Sequence, residues 1–177
     1  KFLRQSSGKK KIPVSAAVMV AAMAQTQKWT DPNRPNYFSS RMYYAAQLIV
    51  ARKFSENTSV QIMPSWVHYN LVTNATDPND IIAIGIGGRQ KITKRISVNA
   101  EYYHQIPCYK FPNTANSLSI GFDIETGGHV FQLHFTNSRG MTERTFISET
   151  AGNWGDGDVL FGFNISRVFT LKKKKGK

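Results

Sequence analysis

The chain has 177 residues, 41% of them hydrophobic, and a formal net charge of +12. That is too apolar for a disordered chain and long enough for one domain with a full core or one small barrel. No run of ~18 apolar residues is present, so no transmembrane helix is expected, and the single cysteine, Cys108, excludes an internal disulfide and offers no zinc spacing.

Charge placement is more informative than charge magnitude. Lys1, Arg4 and Lys9 to Lys11 stand at one end of the chain, and Lys172 to Lys175 with Lys177 at the other. Between them basic and acidic residues nearly balance. No basic helix and no aromatic-basic stripe accompanies the charge, so nucleic acid is not an expected partner.

Residues 1–11 read as the end of a strand followed by a Ser-Gly turn, as if the chain were leaving an earlier strand outside this sequence. A first strand is expected over 12–29, rich in Val, Ala and Met, with Pro13 near its start. Residues 30–38 carry the Pro, Asn and Asp of a loop. A second strand spans 39–54, Ser55-Glu56-Asn57 turns the chain, and a third strand runs over 58–72. Pro64 inside that third strand predicts a bulge or an unpaired position. Residues 73–80 are a polar loop.

Strand four, 81–92, alternates Ile82, Ile84 and Ile86 with Ala83, Gly85 and Gly87. After a turn at Thr93-Lys94-Arg95, strand five sets Ile96, Val98, Ala100 and Tyr102 against Ser97, Asn99, Glu101 and Tyr103. A loop over 105–116 leads to a hairpin. There Leu118, Ile120, Phe122 and Ile124 alternate with small or acidic residues, Thr-Gly-Gly turns the chain, and Phe131, Leu133 and Phe135 alternate with Gln132, His134 and Thr136. Residues 138–157 form the longest loop, read as an ordinary flexible loop, with Glu143, Glu149, Asp156 and Asp158 as a weaker cation-binding or partner-binding possibility. Strand eight spans 158–171 and runs into a basic tail, 172–177.

Connections alternate long and short, so all long loops lie at one end of the strands. Together with strand lengths that exceed the roughly 9–11 tilted residues needed to cross hydrocarbon, this predicts an all-β, antiparallel up-and-down transmembrane β-barrel over 1–171. Trp29, Tyr43, Tyr44, Trp66, Tyr69, Tyr102 and Tyr103 are expected to form one aromatic girdle, and Phe54, Phe131 and Phe169 the other. The apolar rows would face lipid. Because lipid satisfies no backbone group, the Ala-rich first strand should be paired on both sides and not close on strand eight, giving more than eight strands in all.

Glu101, Asp123, Glu125, Gln132 and His134 form a polar cluster facing the interior. A histidine beside carboxylates is a candidate base or ligand, but a hydrogen-bonded lumen network is the plainer reading, and no catalytic residue is singled out. His68, His104, His129 and His134 have no ligand spacing; neither a metal nor a cofactor is expected. Cys108 reads as a free thiol.

The runs at 116–138, 154–158 and 161–169, with Tyr-Phe-Ser-Ser-Arg-Met at 37–42 and Arg-Lys-Phe-Ser-Glu at 52–56, resemble an uncharacterised family of Bacteroidota outer-membrane β-barrel proteins. The resemblance spans nearly the whole chain; only the lysine tail departs from it. It implies a bacterial outer-membrane location, lipid as a partner, and a match to the C-terminal part of longer proteins, in a barrel of about twelve strands. It carries no activity or site. The leading expectation is a pore, a scaffold or an accessory subunit of an envelope complex. The alternatives are a lipid-acting outer-membrane enzyme and a soluble lipocalin-like barrel, whose large apolar residues would face inward.

Overall fold

A computed structural model describes residues 1–6, 11–29 and 36–167. Its strands are β1 (Ser15–Ala24), β2 (Met42–Lys53), β3 (Thr58–Tyr69), β4 (Asp80–Lys91), β5 (Ile96–Gln105), β6 (Ser117–Thr126), β7 (His129–Thr136) and β8 (Leu160–Arg167). They form one 8-stranded sheet in chain order, every neighbouring pair antiparallel. Short turns at 54–57, 92–95 and 127–128 share one end and the long connections share the other, as the loop pattern predicts.

The first strand is shorter than expected: 12–14 and 25–29 lie outside β1, and Trp29 stands beyond it with the Arg41 guanidinium 4.5 Å from its ring centre. The third strand stops at Tyr69, where the Tyr69 amide donates to the Asn79 carbonyl and draws the loop inward. The eighth begins at Leu160; its expected continuation, Phe169 and the basic tail fall outside the described residues. Pro64 produces a gap and not a bulge. Gln47 opposes Ser65 and Val50 opposes Ile62, so the β2–β3 register is the same on both sides of the unpaired stretch. Proline lacks the N–H that the ladder needs there.

The sheet is curled, and the register sorts side chains onto its two faces. Ile84 is 40% exposed on the convex face and Phe163 is 69% exposed, with Val18, Val20, Ile86, Phe122 and Phe161 on the same side. Ala83, Gly85, Gly87, Ser97 and Gln105 lie on the concave side. A convex face of exposed large apolar residues, with a concave face that is small and polar toward the short turns, is the inverse of a soluble ligand-binding barrel, so the lipocalin-like alternative does not describe this fold.

The aromatic residues divide by face as well. Tyr44, Trp66 and Tyr102 point outward near the long-loop end, where Tyr44 and Trp66 stack on His68 and Tyr102 stacks on His104. Asp80 accepts from Trp66 Nε1 at 2.9 Å and pairs with His68 Nδ1 at 2.8 Å. Such polar-tipped rings suit a water–lipid boundary. Tyr43, Tyr69 and Tyr103, expected in the same girdle, are buried on the concave face. At the other end Phe54 is exposed beneath the Arg52 guanidinium, 5.0 Å from its ring centre.

Arginine placed at Ile84, mid-strand on the convex face, should cost about 2–4 kcal/mol of stability in lipid, whereas arginine at the concave position Asn164 should cost about 1 kcal/mol or less. Urea unfolding of vesicle-reconstituted protein, followed by tryptophan fluorescence, measures both; equal losses would contradict the assignment of faces.

Candidate functional site

The concave face owes its shape to the small residues of β4. A Cβ on Gly85 would lie 2.5 Å from Tyr103 Cε1, so the ring of Tyr103 rests directly on the glycine. From there its hydroxyl accepts from Gln47 Nε2 at 3.3 Å and reaches Met63 Sδ at 3.4 Å. Gln47 belongs to β2 and Tyr103 to β5. Across a flat sheet three inter-strand steps of ~4.8 Å would hold them about 14 Å apart. The two long side chains bridge that span over the room that Gly85 leaves between them.

The long connection between β7 and β8 fills the long-loop half of that concavity. It is not the flexible loop expected over 138–157, for it contains a short helix, α1 (Glu143–Ser148), that packs on β2, β3 and β5. Ile147 is 0% exposed and joins Tyr43, Met63, Val67, Tyr69, Ile81 and Tyr103 in the core. Phe146 meets Tyr103 with ring centres 5.1 Å apart. Full burial of Ile147 contributes roughly 1.5–3 kcal/mol, and the half-buried Phe146 adds less.

Polar contacts fix the inserted segment. The Arg144 guanidinium donates to both Glu149 oxygens, at 2.9 and 3.1 Å, and lies 4.0 Å over the Tyr43 ring. Burial opposes the Arg144 charge, but the Glu149 hydrogen bonds and charge outweigh it, and the pKa is raised above its ordinary value. The Tyr69 hydroxyl contacts Ser148 Oγ at 2.6 Å and donates to Glu149 Oε1 at 3.1 Å. At the segment's start, Asn137 accepts from the Leu118 amide and donates to the Asn116 and Gly152 carbonyls. Three of the four acids weighed as cation ligands have partners: Glu149 is held by Arg144, Asp156 by Asn153 Nδ2 and Asp158 by the Asn153 amide.

Below the helix, toward the short turns, the concave face opens into a groove of about 430 Å³ lined by both polar and apolar groups. Glu101, Asp123, Gln132 and His134 line it; Glu125 lies one step nearer the turn. Asn164 Nδ2 donates to Gln132 Oε1 at 3.4 Å, and Gln132 Nε2 donates to Asp123 Oδ1 at 3.0 Å, along one register line of β8, β7 and β6. Glu101 Oε1 accepts from the Tyr103 hydroxyl at 3.3 Å. The His134 ring lies over Gly162, where a Cβ would be 2.2 Å from Nε2. It contacts neither Glu101 nor Asp123 through a hydrogen bond among the described residues.

Sequence reasoning overlooked Arg89. It stands 3.8 Å from Asp123 Oδ2 and 3.5 Å from Glu125 Oε1, and its Nε donates to Ser97 Oγ at 3.1 Å. Its parity with Gly85 and Gly87 was the available signal for an inward cation. The histidines do not converge: His134 faces inward, His68 and His104 face outward, and His129 sits at the hairpin turn. No cluster of three metal-ligating side chains occurs among the described residues. The His68–Asp80 pair resembles an oriented base, but its ladder neighbour is Tyr44 and not a serine. Cys108 is exposed.

A protein-family model described as "Membrane bound beta barrel domain (DUF5777)" matches residues 1–169. No curated protein and no solved structure matches the chain.

Gly85→Ala should push Tyr103 off its glycine seat and cost about 1–3 kcal/mol by overpacking. Gly88→Ala, on the convex face with nothing nearer than the Ser59 carbonyl oxygen at 4.0 Å, should be nearly neutral. Denaturant midpoints of the two variants make the comparison; matching losses would sink this account of the concave face.

Proposed function

The chain belongs to this family of membrane-bound β-barrel domains, and from that premise we propose that it serves a bacterial outer membrane as a plugged barrel, a scaffold or accessory subunit of an envelope complex and not an open pore. The observation that carries this reading is the complete burial of Ile147, from the β7–β8 connection, among side chains of the concave face. A segment held by buried Ile147 and half-buried Phe146, a bidentate ion pair and Asn137 is a fixed obstruction of the lumen. The arrangement of short turns at one end and long connections at the other supports the outer-membrane location, with the short turns on the periplasmic side.

Among the described residues β1 and β8 stand at the two edges of the sheet and do not pair with each other. Beside β1, Leu3 bridges Ala16, and the Gln5 side chain exchanges two hydrogen bonds of 2.8 Å with the Lys53 backbone. In lipid each unpaired backbone group costs several kcal/mol. The reading is therefore that residues 1–171 form part of a larger barrel, about twelve strands, closed by polypeptide outside this sequence, with 172–177 as a basic tail. Glu101, Asp123, Glu125, Gln132 and His134 then act as a hydrated lumen lining, with Arg89 balancing part of their charge, and not as a catalytic set.

Planar-bilayer recordings of the full-length protein test the proposal. The wild type should show little conductance. Ile147→Glu, which forces a carboxylate into an apolar site at a cost of several kcal/mol, should undock the helix and raise conductance several-fold. Steady large conductance from the wild type, unchanged in the variant, would make the protein an open pore.

A further inference from the structure

The short-turn rim carries a charged cleft that the plugged lumen does not use. It lies between the β2–β3 and β4–β5 turns, encloses about 660 Å³, and is lined by Lys53, Glu56, Asn57, Lys91, Thr93 and Lys94 together with Ile92. The Lys91 amide donates to the Asn57 carbonyl at 2.8 Å, which ties the two turns together and fixes the cleft's walls. Three lysines share this space with one carboxylate. None of the three forms an ion pair among the described residues, although Arg89, one register step inside the barrel from Lys91, is matched by Asp123 and Glu125. With one carboxylate against three cations the cleft keeps an excess of positive charge, whose mutual repulsion is relieved when a complementary anionic group arrives.

We infer that this cleft is a docking site for an acidic segment of a soluble protein on the short-turn side of the membrane. The register decides between partners. Lys53 opposes Ser59 and Lys91 opposes Ser97, both residues of the concave face, so these lysines point toward the barrel axis. Arg52 opposes Val60 of the convex face and lies over Phe54. Lipid phosphates lie around the convex side, within reach of Arg52. The inward lysines meet what approaches along the axis through water. A span across two turns and three cations exceeds one phosphate ion and suits several carboxylates presented on an extended chain. The inference uses the barrel reading only for the direction of approach; whether the lumen is plugged does not enter it.

Fluorescence anisotropy of a labelled hexaglutamate peptide, added at low salt to the full-length protein in uncharged detergent, tests the inference. The wild type should bind, and added salt should weaken binding. The triple variant Lys53→Gln, Lys91→Gln, Lys94→Gln should bind at least about tenfold more weakly, as loss of interfacial charge complementarity demands. The triple variant Lys28→Gln, Lys110→Gln, Arg139→Gln, at the opposite end, should stay within about twofold, as surface changes remote from the contact do. Retained tryptophan fluorescence establishes that each variant is folded. Equal losses in both triples would overturn the site. Full displacement by equimolar inorganic phosphate would make it a free-anion site. Association of the variant-sensitive surface with anionic phosphatidylglycerol vesicles and not with the peptide would make it a lipid contact. Bilayer conductance is unaffected by any of these outcomes, so the plug reading stands or falls separately.

Discussion

Lipid offers the backbone no hydrogen bonds, and everything else in this chain accommodates that one constraint. Each strand must find its partners sideways, which fixes the antiparallel meander. Each side chain then has only two directions available, toward hydrocarbon or toward the axis. The period of two in the sequence is the direct record of that choice. The convex rows of Ile, Val and Phe need no shape complementarity, because lipid fills whatever gaps they leave. Glycines and aromatics fit together closely on the concave face: Tyr103 on Gly85, His134 on Gly162.

That division explains what could be read from the sequence and what could not. Strand number within the chain, order, facing and the ends at which loops lie follow from alternation and turn residues. These are local properties, and the hairpin at Gly127-Gly128, both at positive φ, shows them plainly. Strand ends were less legible, since the trimming of the first strand and the stop at Tyr69 depend on loops folding back. The destination of Tyr43, Tyr69 and Tyr103 was not legible either. Tyrosine favours a membrane boundary and a buried core for the same reasons, an apolar ring and a polar tip, and only parity separates Tyr43 from Tyr44 or Tyr103 from Tyr102.

The inserted helix is the largest feature the sequence concealed. Six residues give no periodicity to detect, and Thr142 caps the helix without a side-chain hydrogen bond. Its stability is tertiary: Phe146 and Ile147 are apolar residues in a stretch otherwise full of Gly, Thr, Glu and Asp, and the concavity is where they find cover. The polar cluster was half legible. Asp123 and Gln132 face each other across a hairpin that its turn implies, while the register of Asn164, beyond a long connection, and the reach of Arg89 across two strands are not local properties.

The helix also imposes an order on assembly. Its contacts join positions far apart in the chain; the Tyr69–Ser148 pair spans 79 residues, and closing so long a separation is slow. The seat for Ile147 is made by β2, β3, β4 and β5, so it does not exist until those strands have paired. Until then the concave face lies open to water, and the helix docks only after the wall that receives it has formed. The docked segment is consequently the last part to gain native contacts, held mainly by side chains and by the Ala115 amide on the Thr150 carbonyl.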